Sequence, residues 1–472
     1  MFFAARRVHF VGIGGIGMSG IAEVLLNLRY EVSGCDAKLS PVTQRLERLG
    51  ARIEQGHDPR HVAGAEAVVT SSAVRSDNPE VLEAHRLQIP VIPRGEMLAE
   101  LMRLKYGIAI AGSHGKTTTT SMVAAIMAEA GLDPTVVVGG RLNSVGSNAW
   151  LGKGDFMVVE SDESDRSFLH LAPIIAVITS IDREHLDHYG TFDELRRAYV
   201  EFSNKVPFYG SSILCLDDEH IRANLPQARR RVLTYGLSAD ADLRAYEVRC
   251  GHLQSDFRLK FRGADLGEFH LQVPGMHNVL NAMAATAVGL ELKVEPEKIR
   301  RGLAAFGGVE RRFQTRGCVN GITVVDDYGH HPTEIRATLS AARDCDFQRV
   351  IVVFQPHRFT RTALLMEEFS HAFEACDLLF VMDIYAASEP PLEGVSAQVL
   401  AERIHAAGHD AVQYQPVVED LLKQLAAITR PGDVVLTLGA GSVWQVGEQF
   451  LQLLKERDGV PLATGASVST EE

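Results

Sequence analysis

The stretch Ala111-Gly112-Ser113-His114-Gly115-Lys116-Thr117-Thr118-Thr119-Thr120 constrains this chain most. An apolar run at 107–111 leads in, and a helix-patterned segment at 118–130 leads out. Strand, Gly-rich turn and helix N-terminus together aim backbone N–H groups and a helix dipole at an anion. Lys116 adds a full positive charge for outer phosphates, and Thr117 a hydroxyl for a phosphate-bound Mg²⁺. The usual pattern has a further glycine where Ile110 stands. A bare Gly-Lys-Thr is sometimes only a turn and a cap. The strand-turn-helix context instead predicts a nucleoside triphosphate site on Gly112, Ser113, His114, Gly115, Lys116, Thr117 and Thr118.

At 472 residues the chain has room for about three domains. Apolar residues at 46% and charged residues at 23% describe an ordinary globular protein. A net charge of −13 argues against nucleic-acid binding, which wants a basic face. The six cysteines (35, 215, 250, 318, 345 and 376) form no C-x-x-C, and none has a nearby His at metal-ligand spacing. They read as buried thiols in a reducing compartment. Arg6-Arg7 precedes an apolar run, but Gly12, Gly14, Gly15 and Gly17 break it, which argues against a twin-arginine signal. No apolar stretch reaches spanning length. The expectation is a cytoplasmic enzyme without membrane insertion, with a frayed tail at 463–472.

In residues 1–103, a strand at 8–11 runs into Gly12-Ile13-Gly14-Gly15-Ile16-Gly17, a helix follows from Met18, and a second strand at 31–36 ends in Asp36. Glycines let a backbone approach a diphosphate, and an acid nineteen residues past Gly17 can take a ribose hydroxyl. The fingerprint reports diphosphate and ribose but not the base, so a UDP-sugar satisfies it as well as NAD does. A strand at 67–70 delivers Ser71 and Ser72 to its C-terminal end, where they either bind ligand or cap a helix.

In residues 104–314, strands are expected at 107–111, 136–138, 156–159 and 174–179, with a polar substrate loop at 141–148. The third strand ends in Glu160-Ser161-Asp162-Glu163-Ser164-Asp165. Four acids at a strand end, beside a phosphate loop, suit Mg²⁺, a hard cation; a solvated acidic loop is the alternative. The fourth strand delivers His185, a candidate ligand or acid–base group. Period-two alternation over 240–273 predicts antiparallel strands appended to the parallel sheet. Asn278 and Asn281, three apart, share a helix face suited to an adenine edge, with an N-cap as the bland reading of Asn278.

In residues 315–472, a strand at 322–325 leads to Asp326-Asp327-Tyr328-Gly329-His330-His331-Pro332, and one at 350–354 leads to Gln355-Pro356-His357-Arg358-Phe359-Thr360-Arg361. If Phe359 starts a helix, Arg358 and Arg361 lie close enough to hold a carboxylate. Arg311 and Arg312 sit at a domain junction, to reach phosphates or simply to carry surface charge. Gly439-Ala440-Gly441-Ser442 reads as plain α/β packing.

In order and spacing, residues 9–20, 112–120, 160–165, 275–281, 326–332 and 355–361 resemble the Mur ligase family over nearly the whole chain. The resemblance implies an α/β fold of three domains: a Rossmann-like N-terminal UDP-sugar domain (1–103), a central P-loop ATPase-type parallel sheet with appended antiparallel strands (104–314), and a C-terminal Rossmann-like amino-acid domain (315–472). It implies that ATP phosphorylates the carboxylate of UDP-N-acetylmuramate and that L-alanine attacks the acyl phosphate, in peptidoglycan precursor synthesis. The alternative is a ligase that reattaches recycled peptide to the same sugar. A nicotinamide dehydrogenase would leave the phosphate loop and acid cluster without a task. By resemblance, Gly12, Gly14, Gly15, Gly17, Met18, Asp36, Ser71 and Ser72 hold the UDP-sugar. Residues 112–118, Asn278 and Asn281 hold ATP. Thr117 and Glu160 take one Mg²⁺, with Glu163 competing, and His185 a second. Lys116, His185, Arg312 (or Arg311) and Asp327 serve catalysis. Tyr328, His330, His357, Arg358 and Arg361 receive alanine. The chain is expected to be a monomer or weak homodimer. Several relatives hold the second Mg²⁺ with a carbamylated Lys some fifteen residues past the metal-binding His; here no Lys follows until Lys205. Arg183 and Glu184 have no role on this reading.

Overall fold

A computed structural model describes residues 6–71, 73–138 and 149–457. Ser72, the loop at 141–148 and the tail at 463–472 lie outside the described residues. The chain divides into two compact units. One holds Met1–Arg249, Asp256–Gln272 and His277–Glu310; the other holds Cys250–Ser255, Val273–Met276 and Arg311–Glu472.

The first unit contains two sheets. The smaller is all parallel, in the order Arg52–Gln55, Glu31–Asp36, Arg7–Val11, Ala67–Thr70, Val91–Pro93. The chain order reverses beside Arg7–Val11, the switch point where open α/β sheets receive ligands. Gly12 and Ile13 both donate to the Cys35 carbonyl at 2.9 Å, which bends the chain sharply into the helix Ile16–Asn27.

The larger sheet has ten strands. Its centre is Ile175–Ile178, Tyr106–Ala111, Phe156–Glu160 and Thr135–Val137, all parallel. Here again the order reverses, at Tyr106–Ala111. Ile110 pairs with Glu160 and Ala111 with Ile178, so the phosphate loop, the acid cluster and the 179–182 turn leave the sheet side by side. The far edge is Leu243–Gly251, Gln254–Phe261 and Ala264–Leu271. Two-residue connections make these strands antiparallel, as the alternation predicts. Phe257, Leu259, Phe269 and Leu271 are buried. Glu247 interrupts the pattern with φ of 50°, an irregularity that explains its weak alternation.

The second unit is built on six strands: Gln314–Val319, Ile322–Asp327, Asp433–Leu438, Arg349–Phe354, Leu378–Val381 and Val412–Tyr414. All pairs are parallel except the first. Val350, Val352 and Phe354 enter one core cluster while Ile351 and Val353 enter another. A sheet covered on both faces has apolar strands without alternation, which is how these read in the sequence. The Gly439–Ser442 turn is packed shut: Ser442 and Val443 donate to Gln355 Oε1 at 2.8 and 3.1 Å. Four cysteines are buried as expected, but Cys250 is half-buried and Cys318 exposed, which corrects that expectation.

Candidate active site

The phosphate loop needs its two glycines for space as well as for φ. At Gly112 (φ 132°) a Cβ would lie 2.0 Å from Thr179 Oγ1, and at Gly115 (φ 80°) one would lie 2.3 Å from Asn281 Oδ1. Ile110 is fully buried inside the strand, so the turn begins at Gly112 and needs no glycine earlier. The neighbouring turn clasps the loop. Ser113 N–H donates to Ser180 O at 3.0 Å, His114 N–H to Ser180 Oγ at 3.0 Å, and Asp182 N–H to Ser113 Oγ at 2.8 Å. His114 Nε2 lies 2.8 Å from Asp182 Oδ2.

Lys116 opens the helix Lys116–Glu129. Its ammonium donates to Gly112 O at 2.6 Å, Ser113 O at 3.2 Å and Glu163 Oε1 at 2.6 Å. Thr117 donates to both oxygens of Glu160, at 3.0 and 2.9 Å. The two competing acids therefore have different neighbours: Glu160 faces the Thr117 hydroxyl, and Glu163 faces Lys116 and His185, whose Nε2 is 3.7 Å away. Glu163 Oε2 is buried without a hydrogen-bond partner. Burial pushes this carboxyl up to about 7 despite the ammonium beside it. Burial works against the Lys116 charge, but Glu163, Glu184 and Glu160 together hold that group above its ordinary value.

Glu163, Glu184 and His185 offer ligand atoms within 4.8 Å of one another. Glu184 thus acquires a place that the sequence did not supply, and the donor set is chemically suited to a hard divalent ion. Lys205 does not join it; its ammonium lies 3.5 Å from Glu201 at the surface. His185 takes φ of 56°, a backbone strain that turns its ring toward the acids.

A cleft of about 160 Å³ opens beside this loop, lined by Gly17, Ile21, Arg94, Leu98, Lys116, Val137, Glu160 and Asp162. It joins the first glycine turn to the phosphate loop. Arg94, missed in the sequence, donates to Asp162 Oδ2 at 2.7 Å, and a Cβ at Gly17 would meet its Nη1 at 2.6 Å. The only sequence signal was a lone Arg at a helix start after Pro93. Asp36 is engaged at the turn itself: Gly14 N–H donates to its Oδ2 at 2.9 Å and Lys38 N–H to its Oδ1 at 3.2 Å. Met18 is buried beneath the turn, Gly15 is the N-cap of the helix, and Ser71 is half-buried at its strand end. Asn278 and Asn281 are buried, and Asn281 Oδ1 accepts from Thr119 Oγ1 at 3.2 Å. Asn281 therefore supports the loop from behind.

In the second unit, Arg311 is committed to structure. It bonds Asp326 at 3.0 Å, Gly439 O at 2.6 Å and Gly441 O at 3.3 Å. Arg312 lies 3.4 Å from Glu334 and over the Tyr328 ring at 5.2 Å. Asp327 is buried, accepting Phe313 N–H and Gly329 N–H, each at 2.7 Å, and burial raises its carboxyl. It holds the 327–331 turn in place. His330 and His357 have ring centroids 5.8 Å apart, and Arg361 Nη1 lies 3.2 Å from His357 Nδ1. His357 also stacks on Tyr385 at 5.6 Å, a residue the sequence reading missed. Phe359–Leu364 is indeed a helix, but Arg358 is its exposed N-cap while Arg361 turns to His357. Burial, then His330, Arg361 and Arg358, lower His357 to about 3.

Three family models tile the chain: "Mur ligase family, catalytic domain" over residues 7–106, "Mur ligase middle domain" over 110–289, and "Mur ligase, glutamate ligase domain" over 311–441. The chain belongs to the Mur ligase family. Among relatives of this Mur ligase, the UDP-N-acetylmuramate–L-alanine ligase of Solibacter usitatus is 62% identical, covering 96% of this chain and 97% of its own. That of Syntrophotalea carbinolica is 56% identical, covering 97% and 100%. The crystal structure of UDP-N-acetylmuramate–alanine ligase from Thermotoga maritima matches with a TM-score of 0.80 at 28% identity, covering 96% of this chain and 99% of that one. Among the described residues of this Mur ligase, no helix is long and apolar enough to cross a membrane.

Proposed function

We propose that this chain joins L-alanine to the carboxylate of UDP-N-acetylmuramate at the expense of ATP, releasing ADP and phosphate. The observation that carries this reading is the position of Lys116. Its ammonium is at once the floor of the phosphate loop and part of the wall of the cleft lined by Gly17 and Arg94. An anhydride donor and a carboxylate can therefore meet on one positive charge. Relatives at 56–62% identity carry the alanine-adding name, which sets aside the peptide-reattaching alternative.

On this reading, the N–H groups of residues 112–118 cradle the phosphates, and Lys116 neutralises charge building on the transferring phosphoryl group. Mg²⁺, held by Thr117 with Glu160 and by His185 with Glu163 and Glu184, would neutralise phosphate oxygens when bound. Gly12, Gly14, Gly15, Gly17 and Ser71 take the UDP-sugar diphosphate end, and Arg94 draws the sugar carboxylate toward Lys116. Asn278 meets the nucleotide. Tyr328, His330, His357, Arg358 and Arg361 receive alanine, and Arg312 and Asp327 serve catalysis. We assign these tasks to domains at 1–103, 104–314 and 315–472, acting as a monomer or weak homodimer in the cytoplasm.

The test is product mass with each substrate omitted in turn. UDP-N-acetylmuramoyl-alanine should form only with ATP, Mg²⁺, UDP-N-acetylmuramate and alanine together. Product formation from free tripeptide but not from alanine would reject the reading.

A further inference from the structure

A second cluster of ligand-type side chains lies in the small parallel sheet, away from the phosphate loop. His9, Cys35 and Glu80 are all buried, at 1%, 0% and 0% exposure, and their ligand atoms lie within 4.8 Å of one another. They come from the first strand, the second strand and the helix Pro79–Arg86, and His57 joins them from the loop before the short helix Pro59–Val62. The sequence shows no His near a cysteine at metal-ligand spacing, and the His57 that meets Cys35 is twenty-two positions away. Local spacing is blind to a set that four separate elements bring together.

Glu80 and Cys35 are the centre of the cluster, with His9 and His57 beside them. Cys35 Sγ lies 2.7 Å from Glu80 Oε2 and 3.1 Å from His57 Nδ1, and His57 Nδ1 is 3.4 Å from Glu80 Oε2. His9 Nε2 is 3.8 Å from Glu80 Oε2 and has no hydrogen-bond partner. The other nitrogen of that ring, Nδ1, pairs with Ser33 Oγ at 2.9 Å. An outer bond on one ring nitrogen, with the second bare and aimed into a cluster, is how proteins orient a metal-binding histidine. The remaining oxygen of Glu80 is also tied: His61 Nδ1 lies 2.6 Å from Glu80 Oε1. An imidazole, a thiol and a carboxylate supply three convergent donors for a borderline divalent ion, and a second imidazole, His57, stands beside two of them to complete four. The His57 side chain, 32% exposed, gives the way in.

We propose that His9, Cys35, His57 and Glu80 bind a Zn²⁺-class transition-metal ion, at a site separate from the ATP-dependent chemistry. On binding, the Cys35 S–H bond to Glu80 is replaced by a sulfur–metal bond, and the thiol proton leaves to solvent. Sulfur and oxygen then move apart by about 1 Å to fit around the ion. Because Gly12 and Ile13 hang on the Cys35 carbonyl, the ion would brace the first glycine turn.

The test uses the full chain, stripped with chelator, loaded with Zn²⁺ or Co²⁺ and passed through gel filtration. About one Zn²⁺ per chain should be retained, and the Co²⁺ form should show a thiolate charge-transfer band with tetrahedral d–d absorption. Cys35→Ser should lose the charge-transfer band, and His9→Gln should lose most of the retained metal. His185→Ala should keep both signals. A wild-type chain that retains no metal overturns the proposal and leaves the cluster a hydrogen-bonded network. So does a charge-transfer band that survives Cys35→Ser.

Discussion

At the scale of single residues, Lys116 and His357 make the sharpest predictions. Lys116 ties the two loop carbonyls to Glu163 and faces the cleft. Lys116→Ala should cut kcat by about 10²–10³-fold, the usual loss for one preorganised donor. UDP-sugar affinity, measured by calorimetry on the same variant, should stay within roughly threefold, or about 0.6 kcal/mol. Equal loss of both in a folded variant would sink the division of labour. His357 is neutral in the fold, being lowered from 6.5 to about 3 by burial and by His330, Arg361 and Arg358. The unfolded chain takes up that proton below its ordinary value, so this contribution is present above pH 6.5 and is lost as pH falls toward 3. His357→Gln should flatten the acid limb of unfolding free energy plotted against pH by on the order of a few kcal/mol. Parallel curves for wild type and variant would reject this assignment.

At the scale of elements, the glycine turns carry the site. Gly115 combines φ of 80° with a Cβ position 2.3 Å from Asn281 Oδ1, whereas Gly131 has φ of 77° and nothing within 4 Å. Gly131→Ala therefore reports backbone strain alone, about 1 kcal/mol. Gly115→Ala should cost about 1–3 kcal/mol and raise the KM for ATP as well. Equal denaturant midpoints for the two variants would remove Asn281 from its supporting role. These turns were also the most legible part of the sequence, because strand, glycines and helix are contiguous and each leaves a local mark. The period-two run at 243–271 was legible for the same reason, its inward residues being Phe257, Leu259, Phe269 and Leu271. What was hidden depends on contacts distant in sequence. Arg94 meets Asp162 across sixty-eight positions, and His9 meets Glu80 across seventy-one. Nothing near Glu184 says that Glu163 will be its neighbour. The choice between Glu160 and Glu163 likewise waited on strand register, which sets Glu160 level with Ile110 and in reach of Thr117.

At the scale of the molecule, the two sheets of the first unit use one device: a reversal of strand order that opens a crevice at the strand ends. In the first unit, two such crevices share the cleft that contains Lys116 and Arg94. That arrangement brings an acid carboxylate to a phosphoryl donor, and the chemistry it favours is an acyl phosphate rather than attack of the alanine amine on the free carboxylate. The most direct test follows an oxygen atom. UDP-N-acetylmuramate labelled with ¹⁸O in its carboxylate is turned over with ATP and alanine, and the released phosphate is analysed by mass. One labelled oxygen should appear in phosphate for each amide formed. Amide formation with unlabelled phosphate would contradict the account.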